Sequence, residues 1–199
     1  MSSTTAARLM SADEFFDFVH RPENRDRCFE LESGELIESS RPGERHGLVC
    51  ANVVFELSVH VRRRGQGYVC SNDTGLILEH DPDTVRGPDV VLYTQSMQYD
   101  QLNRKYSEQP PTLAVEVLSP NASFGRVTRR VSQLLRHGVG MVWLVEPEAR
   151  TVTVYRDGAV PVVFDDSEEL AVEDLLPGFR CKVADLFHLP GAPASPTAG

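Results

Sequence analysis

The run Leu113-Ala114-Val115-Glu116-Val117-Leu118-Ser119 constrains this 199-residue chain more than any other stretch. It is β-prone and apolar, and it carries a single carboxylate in its middle. An ionised carboxylate in a buried strand costs several kcal/mol unless a cation or hydrogen-bond donors compensate it. A fold that buries this strand must therefore bring a partner to Glu116. A second acid has a similar setting, because Gly87-Pro88-Asp89 leads directly into the apolar Val90-Val91-Leu92-Tyr93. Two carboxylates at the ends of neighbouring strands suit a hard divalent cation, which prefers oxygen ligands and keeps positions open for water and phosphate. Asp89 and Glu116 are thus the first candidate site.

The length fits one domain. Residues 11–188 form the expected folded unit, with a flexible start over 1–10 and a disordered tail over 189–199, where proline, glycine and small residues dominate. The amino terminus has no apolar signal-like core, and the longest apolar stretch, near Gly138 to Val145, is far below the roughly 20 residues a membrane helix needs. A cytoplasmic, membrane-free protein is expected. Cys28, Cys50, Cys70 and Cys181 lack the paired spacing of a zinc or redox motif and read as reduced thiols. The net charge of −9 argues against a generally nucleic-acid-attracting surface, so a polyanion would need a local basic patch. Arg62-Arg63-Arg64 is one candidate. The acid-free segment Ser123 to His137, with Arg126, Arg129, Arg130 and Arg136, is the other. Either can equally be a solvated helix face.

Ser11-Ala12-Asp13-Glu14 spells a capping box before a short helix with Phe15, Phe16, Phe18 and Val19. Residues 28–39 alternate around Ser33-Gly34 as a hairpin. A long helix is expected from Glu44 to Arg64, with Leu48, Ala51, Val54, Phe55, Leu57 and Val61 as its stripe and Gly65 as its terminator. Strands follow at Tyr68–Cys70, Gly75–Glu79, Asp89–Tyr93 and Thr112–Leu118, with a polar loop over Thr94–Pro111. Ser123 can cap a second helix ending at Arg136, and strands return at Met141–Val145, Thr151–Tyr155 and Val160–Phe164. Val183–Phe187 reads as a last helical turn. This order predicts an α/β (α+β) fold, a central mixed β-sheet flanked by helices.

Several motifs occur in a characteristic order: Phe29-Glu30-Leu31 with Gly34-Glu35-Leu36, Pro42-Gly43 and His46, Gly87-Pro88-Asp89-Val90, Val115-Glu116-Val117-Leu118-Ser119-Pro120, Gly138-Val139, Trp143-Leu144-Val145, Leu176-Pro177-Gly178-Phe179 and Asp185-Leu186-Phe187. On these residues the chain resembles the Uma-type restriction endonuclease family of the PD-(D/E)XK nuclease superfamily, over roughly residues 10–188. The resemblance implies a restriction-endonuclease-like fold with a four-to-five-stranded central sheet. It implies Asp89 and Glu116 as ligands of Mg2+ (or Mn2+), with the carbonyl of Val117 as a third, and DNA phosphodiester hydrolysis by a metal-activated water. A homodimer that cuts both strands follows by the same analogy.

The chain also departs from that pattern. The superfamily lysine two residues after the glutamate is Leu118, and the helix position to which the family moves it holds Arg130. The family's helix acid one turn earlier aligns with Arg126, its tyrosine with Leu134, and its Glu-Tyr-Trp with Met141-Val142-Trp143. Arginine can stabilise a phosphate's negative charge, but its pKa is too high for proton transfer. Arg126, Arg129 and Arg130 are the expected nucleic-acid contacts. Glu30 and Glu35 are candidate catalytic acids that ordinary exposure on a hairpin would explain equally, and His46 can cap its helix, contact substrate or face water. Two readings stand, a metal-dependent endonuclease with Arg130 in place of the lysine, and a catalytically degraded member that binds nucleic acid or a protein partner without cutting.

Overall fold

The computed structural model describes residues 9–120, 122–189 and 191. Residues 1–8 of the expected flexible start, and nearly all of the expected tail, lie outside that range.

Helix α1 (Ala12–Val19) begins on the capping box: Ser11 Oγ accepts the Glu14 N–H, and the Glu14 carboxylate accepts the Ser11 N–H. The hairpin β1 (Cys28–Glu32) and β2 (Glu35–Ser39) follows, tightened by Ser33 and Gly34, both at positive φ. Helix α2 (Glu44–Arg64) ends at Gly65, whose left-handed conformation glycine adopts without a Cβ penalty. Next come β3 (Tyr68–Ser71), β4 (Leu76–Glu79), β5 (Thr84–Arg86), β6 (Val90–Tyr93) and β7 (Leu113–Val117). Between β6 and β7 the polar loop holds a single 3-10 turn, Tyr99–Gln101. Helix α3 (Phe124–Arg136) has Ser123 at its N-cap, although the side chain makes no capping hydrogen bond there. The chain closes with β8 (Met141–Glu146), β9 (Thr151–Tyr155), β10 (Val162–Phe164), β11 (Glu169–Ala171), β12 (Arg180–Lys182) and α4 (Val183–Leu186).

The central sheet has six strands in the order β10-β9-β8-β7-β6-β3, more than the four or five that the resemblance implied. It is mixed, because β7 and β8 run parallel while β6–β7 and β8–β9 are antiparallel. A four-stranded sheet, β2-β1-β5-β4, and the ribbon β11-β12 complete the fold. Strand β5 and the β11-β12 ribbon have no counterpart in the sequence reading.

Alternation along β7 decides what each face meets. Leu113, Val115 and Val117 pack with Val49, Val53, Leu57 and Val61 of α2, and Trp143 is wholly buried in the same cluster. Ala114 faces the other way and packs with Val131 and Leu134 of α3. Glu116 shares the parity of Ala114, so the α3 side receives its carboxylate. Both faces of the sheet are covered, and Glu116 is only 8% exposed. The buried stripe of α2 is Val49-Val53-Leu57-Val61, which corrects the expected one; Phe55 is 63% exposed. Helix α2 carries apolar residues nearly all round, so periodicity alone left the phase of its stripe open.

Candidate active site

Asp89 sits immediately before β6, one residue beyond the last registered pair, Val90 with Val115. Where the two strands part, its side chain replaces a backbone partner: Asp89 Oδ2 accepts the N–H of Val117 at 2.7 Å. A side-chain acceptor for an otherwise unpaired strand N–H holds the carboxylate rigidly beside Glu116. Asp89 Oδ1 lies 3.3 Å from His46 Nε2, and His46 Nδ1 is 3.5 Å from Cys50 Sγ. Hydrogen bonding by Asp89, then by Cys50, pushes the His46 pKa up to about 10. His46 thus meets Asp89, neither capping its helix nor facing water.

Arg130 enters from α3. Its Nε lies 2.7 Å from Glu116 Oε1, Nη1 closes on Glu30 Oε1, and Nη2 donates to the Gly87 carbonyl at 2.7 Å. The Nε–Oε1 contact is an ion pair without hydrogen-bond alignment, and both atoms, which are buried, lack a hydrogen-bond partner among the described residues. Burial holds the Glu116 carboxyl above the ordinary carboxylate range; Arg130 pulls it down and the Asp89 charge pushes it further up. Burial pulls Arg130 down, but the charges of Glu116 and Glu30 outweigh it and keep the guanidinium ionised.

Behind these residues lies a polar network that the sequence reading missed. Arg86, 5% exposed, reaches Glu30 Oε2 at 3.0 Å and Glu32 Oε2 at 3.1 Å, and donates twice to Gln133 Oε1. Glu30 also accepts the Gly87 N–H at 3.1 Å. Gly87 has to be small, because a Cβ there would fall 2.7 Å from the Asp73 carbonyl oxygen. Asp73 in turn lies in the field of Asp89, and burial first, then that charge, raises its pKa. The signal for Arg86 was its place beside Gly87-Pro88-Asp89 in an apolar neighbourhood; nothing local pointed to Glu32 or Gln133.

The site opens into a cavity of about 600 Å³ lined by Glu30, His46, Asp73, Asp89, Glu116 and Arg130, among others. A second cavity, about 440 Å³, shares Glu30, Glu116, Val117 and Arg130 and adds Ser123, Arg126 and Arg129. Arg126 and Arg129 are exposed at its edge, and Arg129 pairs with Glu32 at 3.1 Å. Five of the six predicted catalytic candidates, Glu30, His46, Asp89, Glu116 and Arg130, therefore converge. Glu35 does not. It is exposed beside the hairpin turn, opposite Glu32, and lines neither cavity.

A mixed sheet clasped by helices, with acids at the parting of two strands, defines a mixed α/β protein with an acidic cleft. The chain matches the family described as "Putative restriction endonuclease" (Uma2) over residues 12–184, and it belongs to that family. Among solved structures it resembles a putative nuclease of the DUF820 group from Anabaena variabilis, with a TM-score of 0.75 and 22% identity over 89% of this chain and 97% of that one. At that identity the likeness speaks for the fold. A search of the curated proteins finds no match.

Proposed function

We propose that the protein is an endonuclease that hydrolyses DNA phosphodiester bonds with Mg2+ or Mn2+. The observation that carries this reading is the convergence of Asp89 and Glu116 in one cavity, with Asp89 bound to the N–H of the residue after Glu116. The donor set fits a hard divalent ion: two mutually repelling carboxylates, with Glu116 Oε1 buried in an ion-pair contact to Arg130 but without an aligned hydrogen bond among the described residues. Asp89, Glu116 and the Val117 carbonyl would hold the ion, which when bound supplies an activated water and neutralises charge on the phosphate.

The chain's own residues supply positioning. Val117 N–H and His46 fix the Asp89 carboxylate from two sides, and Arg86 fixes Glu30. Arg130 brings a permanent positive charge to the cavity, able to hold a phosphate oxygen but unsuited to proton transfer. Arg126 and Arg129, exposed on the adjoining cavity, suit the flanking phosphates of a strand. A homodimer would set two such sites against the two strands of a duplex.

One observation favours a second reading. Arg130 approaches Glu116 Oε1, the oxygen a metal would use, so the guanidinium itself compensates the buried charge. A member that binds without cutting would look the same. Plasmid cleavage with and without Mg2+ or Mn2+, in the parent protein and in Asp89→Asn and Glu116→Gln, tests the first reading. Metal-dependent cleavage lost in both variants supports it, and cleavage unchanged in both excludes it. Metal binding without cleavage in the parent, with cleavage appearing in Arg130→Lys, would support the second.

A further inference from the structure

His46 and Cys50 stand one helical turn apart on α2, so both side chains project from one face of the helix. Asp89 faces them from the start of β6, and one ligand atom from each of the three residues falls within 4.8 Å of the others. We propose that His46, Cys50 and Asp89 form a second cation site, selective for a borderline-soft divalent metal such as Zn2+ over Mg2+.

The chemistry of the donors carries the selectivity. A thiolate, an imidazole nitrogen and one carboxylate oxygen make a mixed set that hard Mg2+ avoids and Zn2+ or Co2+ accepts. Tetrahedral zinc with bonds of about 2.0–2.3 Å places its ligand atoms roughly 3.3–3.8 Å apart. The three ligand atoms lie within 4.8 Å of one another, so they must draw together to reach that spacing; His46 already touches Asp89 through Nε2 at 3.3 Å and Cys50 through Nδ1 at 3.5 Å. His46 uses a different nitrogen in each contact, so a modest turn of the ring and approach of the thiol would close the set. The 600 Å³ cavity, which His46 and Asp89 line, provides the entry path and a water for the fourth position. Asp73 lines the same cavity and adds negative charge close to Asp89 and Cys50. Asp89 is common to this triad and to the pair proposed to hold magnesium, so zinc occupancy would suppress cleavage. That consequence rests on the nuclease reading; the binding site does not.

Co2+ titration of the full chain tests the site without reference to cleavage. A thiolate-to-cobalt charge-transfer band in the near ultraviolet should grow to one equivalent per chain and be displaced by stoichiometric Zn2+, while Mg2+, competing only for the shared Asp89, should need a large excess to weaken it. It should vanish in both Cys50→Ser and Cys50→Ala and persist in Cys28→Ser and Cys70→Ser. Absence of the band from the parent protein, survival in the Cys50 variants, or equal loss in the Cys28 or Cys70 variants would overturn the proposal. Two substitutions at position 50, each checked by thermal unfolding, separate loss of a ligand from loss of the fold.

Discussion

Replacing Arg130 by Met keeps much of the side chain's length and removes its charge, which isolates the central ion pair. Arg130 serves Glu116, Glu30 and the Gly87 carbonyl at once. Removing one partner of a buried pair costs about 3–5 kcal/mol, because the other charge stays buried and alone. Glu30 would keep Arg86 and the Gly87 N–H, so only Glu116 loses its cation. Glu116 can then take up a proton, which caps the cost, and the Arg130 side chain is 21% exposed. The expected loss is therefore at the low end, about 3 kcal/mol. For a chain of this size that lowers the thermal midpoint by about 6–12 °C. Arg129→Met is the control on the same helix: its side chain is 67% exposed and its partner Glu32 keeps Arg86, so the loss should stay below about 1 kcal/mol. Urea unfolding of the parent and the two variants measures both. Equal losses in the two variants would refute the claim that Arg130 is what neutralises Glu116.

Asp89→Asn keeps an oxygen that can accept the Val117 N–H but loses the charge paired with His46, so stability should fall by about 1–3 kcal/mol while metal-dependent cleavage disappears; unfolding and nicking assays on one preparation check both. Gly87→Ala forces a Cβ against the Asp73 backbone and should cost about 1–3 kcal/mol, read from the shift in urea midpoint. Trp143→Ala empties a fully buried position and should cost about 3–5 kcal/mol, measured in the same way. Burial lowers the pKa of His137 below its ordinary value of 6.5, outweighing the backbone contacts that raise it. The unfolded chain therefore binds that proton more tightly, and this residue's effect destabilises the fold as pH falls through 6.5. His137→Gln should lose less stability than the parent between pH 7.5 and 5.5, the range that brackets the unfolded value of about 6.5.

Features set by local chemistry were legible in the sequence. Gly65 ends α2 where expected, and Ser11 with Glu14 starts α1, because glycine's left-handed freedom and reciprocal capping act within a few residues. Glu116 announced its need for a partner, and Arg130 was already suspected because the family resemblance places the displaced lysine at that helix position. The rest depends on distance along the chain. Arg86 and Glu30 are 56 residues apart, and Arg130 and Glu30 are 100 apart, so no window contains the network that holds the site. Strand β5 has three residues beside a turn, too few for a period to emerge. His46 and Cys50 are one turn apart on α2, but they gain meaning only when the fold places Asp89 across from them.

The central claim is that Asp89 and Glu116 together hold a divalent metal. Mn2+ titration followed by the loss of its free-ion paramagnetic resonance signal tests it without needing a substrate, and cobalt at the neighbouring thiol site gives a separate signal. The account predicts saturable Mn2+ binding in the parent chain, weakened by more than the roughly 10–100-fold typical of outer-shell changes in both Asp89→Asn and Glu116→Gln. Equal Mn2+ affinity in the parent and both variants would contradict it.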